Sequence, residues 1–341
     1  MAISLHDGIV LAVYIFAFLT GLPANLLAFY TFLGKLRKKP APIDILLFNL
    51  TVSDVILLLF LPFKMAEAAS GMAWPLPAFL CPFTGFCYYS SIYISTLFLM
   101  AISVERYLGV AYPIKYKLNR RPIYAVVASF FFWLLACSHC SIVYIVQFRL
   151  PNYNETNTNS TDRSNCYDEF TSEQLHVLLP VRLELCITLF LLPFFVCLFC
   201  YVNLVRILTS SPNIQSRRKQ RAVGLAVVTL LNFAICFAPY NISHIVGFIQ
   251  QKSPTWRVYA LLLSTLNASL DPAIFYFSST AIQQTLADCF AGVGRKLQAI
   301  MPSCYQFCLP CCEVEGDNVE AEKSSIYNIG DLPLERVGSG S

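Results

Sequence analysis

From Cys81 the chain runs to Val104 without a charged residue, and Glu105-Arg106-Tyr107 closes the run. At ~1.5 Å per residue, a helix of that length crosses the ~30 Å hydrocarbon core of a bilayer. Runs of this kind recur at Gly8–Leu33, Ile43–Ala69, Ala78–Tyr112, Ile123–Gln147, Leu175–Leu208, Ala222–Ile249 and Arg257–Phe277. Each meets the ~20 apolar residues a spanning helix needs, so the pattern predicts an all-α membrane protein, a bundle of seven transmembrane helices. Composition agrees, with 56% hydrophobic and 13% charged residues where soluble domains carry about 25% charged. A net charge of +4 over 341 residues suggests no nucleic-acid surface. Met1 to Asp7 lacks a basic segment and no cleavage pattern ends the first apolar run, which is therefore expected to be retained as a span.

Basic residues set the expected orientation. Lys35, Arg37, Lys38 and Lys39 follow the first span, Lys115, Lys117, Arg120 and Arg121 the third, Arg217, Arg218, Lys219 and Arg221 the fifth, and Arg295 and Lys296 the seventh. These connections are predicted to be cytoplasmic, with residues 1–7 outside. The long loop on the outer side carries the sequons at Asn154 and Asn159, predicted glycosylation sites. Of the 14 cysteines only Cys81 and Cys166 fall at outer positions, in an oxidising compartment, and they are expected to pair. Beyond Phe277, residues 278–297 read as a short amphipathic helix on the inner membrane surface, and 298–341 as a disordered tail. Cys289, Cys304, Cys308, Cys311 and Cys312 are candidates for palmitate, with a zinc site or free thiols as the other readings.

Polar groups inside spans are costly and are functional candidates by default. They form two layers. At mid-depth Asp54 and Asp271, with Asn25, Ser95 and Asn267, could hold a hydrated sodium ion or move protons, or form a structural network without an ion. Nearer the outside lie His139, Arg182, His244 and Arg257 on the fourth to seventh spans, with Tyr89, Tyr93 and Tyr240 at the same depth. Two guanidiniums that cannot lose their charge, among imidazoles and phenols, describe a pocket for a carboxylate. In the competing reading the arginines snorkel to the headgroups and pair with Asp168 or Glu184. An intramembrane zinc hydrolase is disfavoured because the four histidines include no closely spaced pair. A transporter is disfavoured because no two Pro/Gly-broken helices occupy corresponding places in two halves.

The sequence resembles the rhodopsin-like G-protein-coupled receptors through Gly21-Leu-Pro-Ala-Asn25, Leu50-Thr-Val-Ser-Asp54, Cys81, Glu105-Arg106-Tyr107, Trp133, Pro193 with Tyr201, Cys236-Phe-Ala-Pro239 and Asp271-Pro272. Within that class it is similar to the free fatty acid receptors, and more so to their short-chain branch. The segments carrying that likeness are Leu61-Pro-Phe-Lys64, Leu179-Pro-Val-Arg-Leu-Glu-Leu185, Arg221 to Phe233, Pro239-Tyr-Asn-Ile-Ser-His244 and Leu266-Asn-Ala-Ser-Leu-Asp-Pro272. The resemblance implies a plasma-membrane receptor for acetate, propionate and butyrate, with another small carboxylate or a medium-chain acid as the alternative. It implies a carboxylate held by Arg182 and Arg257 with help from His139 and His244, and Tyr89, Tyr93, Tyr240 and Asp168 around them. It further implies coupling to inhibitory (Gi/o) and Gq-type G proteins, arrestin recruitment, and switch roles for Glu105, Arg106, Tyr107, Tyr201, Pro239 and Pro272. No cofactor is expected beyond an allosteric sodium ion. An ion pair between Glu105 and Arg106 is the expected resting lock. Departures from the general pattern are Asp271 in place of asparagine, Phe275 with Tyr276 one place late, and Phe237 in place of tryptophan.

Overall fold

The computed structural model describes residues 4–119, 121–149, 166, 170–210 and 215–300. Asn154, Asn159, Asp168 and the tail cysteines from Cys304 onward lie outside those residues. Seven helices are long and apolar enough to cross a bilayer: Leu5–Leu36, Pro42–Ala69, Leu80–Ala111, Pro122–Val146, Ser172–Ser210, Lys219–Gln250 and Arg257–Ser278. They are called the first to seventh spans below. No strand occurs among the described residues.

Local chemistry sets the helix ends. Ser4 caps the first span by accepting from the Asp7 amide at 3.1 Å. Pro42 opens the second, where its missing N–H costs nothing. Lys35 pairs with Asp44 at 2.8 Å across the tight connection between them. The second span ends in a turn with Gly71 and Met72 both in the left-handed region, at φ 72° and 61°. Thr171 and Gln174 cap the fifth span reciprocally, the Gln174 amide donating to Thr171 Oγ1 and the Thr171 amide to Gln174 Oε1 at 3.0 Å. The Cys81–Cys166 disulfide forms as expected and fastens residue 166 to the start of the third span.

The third span is the axis of the bundle. Most of its residues are buried, including the hydroxyl and phenol side chains from Thr84 to Thr96. The first and fourth spans instead turn phenylalanines, leucines and isoleucines outward, as lipid-facing helices do.

Two spans carry wide turns just before a proline. Residues Ile187–Leu191, ahead of Pro193, and Phe233–Phe237, ahead of Pro239, form wide π-type turns. In hydrocarbon a carbonyl displaced from the helical ladder needs another donor. Thr96 supplies one to the Leu189 carbonyl at 2.6 Å, and Ser264 one to the Cys236 carbonyl at 2.8 Å. The seventh span is interrupted at Leu266. Asn25 donates to the Ala268 carbonyl just beyond, at 2.7 Å.

At the end opposite the disulfide, Arg106 donates to the Ser278 carbonyl at the foot of the seventh span. Tyr201 and Thr229 join the fifth and sixth spans at 3.2 Å. Gly224 of the sixth span packs so closely on Phe277 of the seventh that a Cβ there would lie 2.8 Å from the ring. A short helix, Pro113–Asn119, follows the third span, and a further helix, Thr280–Ile300, follows the seventh.

Candidate ligand-binding site

Burying a guanidinium in a bilayer-embedded bundle is expensive, so its surroundings indicate what holds it there. Arg182 lies two residues after Pro180 in the fifth span, and Arg257 is the first residue of the seventh. Their exposures are 5% and 3%, so neither reaches for headgroups. Instead both stack on one ring: the guanidinium carbons of Arg182 and Arg257 lie 4.9 and 5.8 Å from the centroid of Phe170. Arg182 Nη1 also donates to Ser253 Oγ at 3.0 Å. The two cations therefore converge on Phe170.

Aromatic side chains from the third and sixth spans floor this arrangement. Tyr89 stacks on Tyr240 at 6.2 Å, Tyr240 meets the His244 ring edge-on at 4.5 Å, and His244 Nε2 lies 3.1 Å from the Tyr93 hydroxyl. His244 and Tyr93 are 1% exposed, so their hydrogen bond is sealed from solvent. Two small hollows flank Tyr89. One, about 20 Å³, is lined by Tyr89, Tyr93, Arg182, Leu185, Tyr240 and His244. The other, about 30 Å³, is lined by Tyr14, Lys64, Glu67, Tyr89, Arg257 and Leu261. Each holds one arginine, and Tyr89 is the wall between them.

The site thus brings together Arg182, Arg257, His244, Tyr89, Tyr93 and Tyr240. It does not bring in His139, whose Nδ1 lies 2.8 Å from the Leu135 carbonyl and whose Nε2 lies 3.1 Å from Glu184 Oε1. That pair sits partly exposed on the outward face of the fourth and fifth spans. Three participants escaped the sequence reading. Phe170 gave no signal, being one aromatic residue in a polar loop. Lys64 and Glu67 form a buried ion pair at 2.8 Å, and Glu67 Oε1 also accepts from the Cys166 amide at 3.1 Å. Opposite charges three residues apart inside an apolar run were the available clue, since such a pair is tolerated there only when both members are satisfied.

At mid-depth, Asp54 and Asp271 are buried neighbours. Asn232 donates to Asp271 Oδ1 at 2.7 Å. Among the described residues no donor reaches either oxygen of Asp54, Asp271 Oδ2, or the Asn267 amide. Ser95 lies beside Asp54 in the same layer, its hydroxyl 3.3 Å from that of Ser53. Adjacent buried carboxyls with unmatched acceptors fit a small cation or a shared proton.

The expected Glu105–Arg106 pair is not the arrangement found. Glu105 accepts from Tyr116 of the short helix while Arg106 turns inward to Ser278. Adjacent residues on a helix point about 100° apart, which leaves each free to take a partner on a different side. Tyr107 packs edge-on against Phe199 at 5.9 Å.

Residues 24–275 match the family model described as 7 transmembrane receptor (rhodopsin family). The chain therefore belongs to that family; it is a receptor, a multi-pass protein of the plasma membrane, and not an enzyme. Within the family it belongs with the free fatty acid receptors. It is 54% identical to free fatty acid receptor 2 of Mus musculus over 281 residues, covering 82% of this chain and 84% of that relative. It is 52% identical to free fatty acid receptor 2 of Homo sapiens over 299 residues, 86% of each chain. It is 50% identical to free fatty acid receptor 3 of Homo sapiens over 274 residues, 80% of this chain and 78% of that one.

Proposed function

We propose that this receptor is activated by short-chain fatty acids, acetate, propionate and butyrate, bound as carboxylates between Arg182 and Arg257. The observation that carries the reading is the shared stacking of two buried guanidiniums on Phe170. A ring face is a weak substitute for an anion, and a carboxylate would give both forks charge-assisted hydrogen bonds in a site shielded from water. His244, held by Tyr93, would steady the anion from below. The two hollows, about 20 and 30 Å³, leave little room for an alkyl chain without repacking, which favours the smallest acids. The names of the relatives are consistent with a fatty-acid ligand.

The proposed orientation sets the disulfide end and the amino terminus outside, because the basic connections cluster at the other end. A carboxylate gripped from the fifth and seventh spans draws their outer ends together. Such a ligand shifts the bundle only through tighter binding to one of its states. At the inner end, the ties from Arg106 to Ser278 and from Tyr201 to Thr229 would then yield to Gi/o or Gq proteins and to arrestin. Asp54 and Asp271, with Asn267 and Ser95 beside them, would hold an allosteric sodium ion, which supplies positive charge to the acid pair. In cells expressing the receptor, propionate should raise calcium or lower cyclic AMP, while propionamide, equal in shape but uncharged, should be silent. Equal responses to the two would remove the anion reading.

A further inference from the structure

A second kind of hollow lies far from the arginine pair. It is an open cavity of about 480 Å³ at the Glu105 end, bounded by the start of the second span, the end of the third, the short helix Pro113–Asn119 and the start of the fourth. Its walls have two characters. Pro42, Leu108, Tyr112 and Tyr124 are apolar or aromatic, whereas Lys115 and Arg121 are basic and exposed. Glu105, the one acid on its wall, is already engaged by the Tyr116 hydroxyl. Around it Ile114, Leu118 and Ile123 turn outward at 77%, 80% and 55% exposure, as side chains at the bilayer boundary do.

From this arrangement we infer that the cavity is a binding site for an anionic phospholipid of the adjoining leaflet, with its phosphate on Lys115 and Arg121 and its acyl chains beside Ile123 and Tyr124. Basic pockets between spanning helices at a membrane surface have the charge and position to hold such headgroups. The apolar rim selects a lipid over a soluble phosphate, because a free anion gains nothing from Ile114, Leu118 or Ile123. The site also has a route to the switch residues. A second hollow of about 300 Å³, lined by Glu105, Arg106, Gly109 and Tyr116, shares Glu105 and Tyr116 with the first. The hydrogen-bonded Glu105–Tyr116 pair is thus the partition between the lipid site and the crevice beneath Arg106. Occupancy on one side bears directly on the other.

The inference does not depend on the carboxylate reading, and its test uses neither a fatty acid nor a signalling assay. Full-length receptor in phosphatidylcholine nanodiscs is titrated with fluorescent dioctanoyl phosphatidylinositol 4,5-bisphosphate. One Lys or Arg near an anionic lipid accounts for about a fivefold change in affinity, so Lys115→Gln/Arg121→Gln should bind about 25-fold more weakly. Lys38→Gln/Lys39→Gln, which removes equal charge outside the cavity wall, should bind like the parent. Leu108→Trp, which fills the cavity without altering charge, should also lose binding, independently of the double variant's folding. Three results would overturn the site: undiminished binding by the double variant or by Leu108→Trp, an equal loss in the Lys38/Lys39 control, or binding of soluble inositol trisphosphate as tight as that of the lipid.

Discussion

The cationic layer around Arg182 and Arg257 and the acidic layer around Asp54 and Asp271 place the same kind of burden on the fold, and the chain meets it in opposite ways. In the first, both guanidiniums stack on a shared ring and Arg182 donates to a serine hydroxyl. In the second, four carboxyl and amide acceptors, Asp54 Oδ1 and Oδ2, Asp271 Oδ2 and Asn267 Oδ1, meet no protein donor among the described residues. Unpaired buried acceptors cost far more than partnered ones, which supports the proposal of a sodium ion or a shared proton in the acid layer. The cationic layer has a weak partner, the Phe170 ring, that a strong one can replace. On the proposed reading the upper layer takes an anion that comes and goes, and the lower one holds a resident cation.

The sharpest way to break the contrast is to remove one cation. Truncating one member of a buried charged contact costs about 2–5 kcal/mol. Arg182→Ala or Arg257→Ala should therefore weaken the propionate response at least ~30-fold at unchanged surface level, read as a cyclic AMP dose-response. A parent-like curve in either variant would dissolve the cationic layer as a site. Forcing the far end apart comes next. Gly224→Ala sets a methyl against the Phe277 ring, and overpacking of this kind costs about 1–3 kcal/mol. If that strain falls on the closed state, basal signalling should rise severalfold and the increment from propionate should shrink; unchanged basal activity would show that the sixth and seventh spans need not part there.

How much of this was legible in the chain follows from which forces act locally. The seven spans were readable because each is a predominantly apolar run of spanning length, and the disulfide because the expected orientation left only Cys81 and Cys166 in an oxidising compartment. The convergence of Arg182 and Arg257 was suggested by helix direction and depth alone. Phe170 between them was not, since nothing in a loop residue's type announces its neighbours. His139 matched His244 in depth, but depth carries no rotation about the helix axis, and its ring turns to Glu184 instead. The Glu105–Tyr116 contact was equally hidden, because it depends on a short helix folding back after the third span.

Two smaller effects sharpen the comparison. Asp54→Asn keeps the shape of the acid layer and removes a charge, so the dependence of basal signalling on sodium should flatten while propionate potency changes by less than about tenfold. A sodium titration identical to the parent's would assign that layer to a network without an ion. Smallest of all, His139→Ala should cost less propionate potency than His244→Ala, because only the second imidazole lines the hollow beside Arg182. An equal or larger loss at His139 would place the acid nearer the fourth span than this geometry allows.

The most direct measurement is a structure of the receptor determined with propionate bound. The account predicts the carboxylate within hydrogen-bonding distance of both guanidiniums, above Tyr240 and His244, with Phe170 displaced from between Arg182 and Arg257. Propionate found elsewhere, with both arginines still stacked on Phe170, would contradict it.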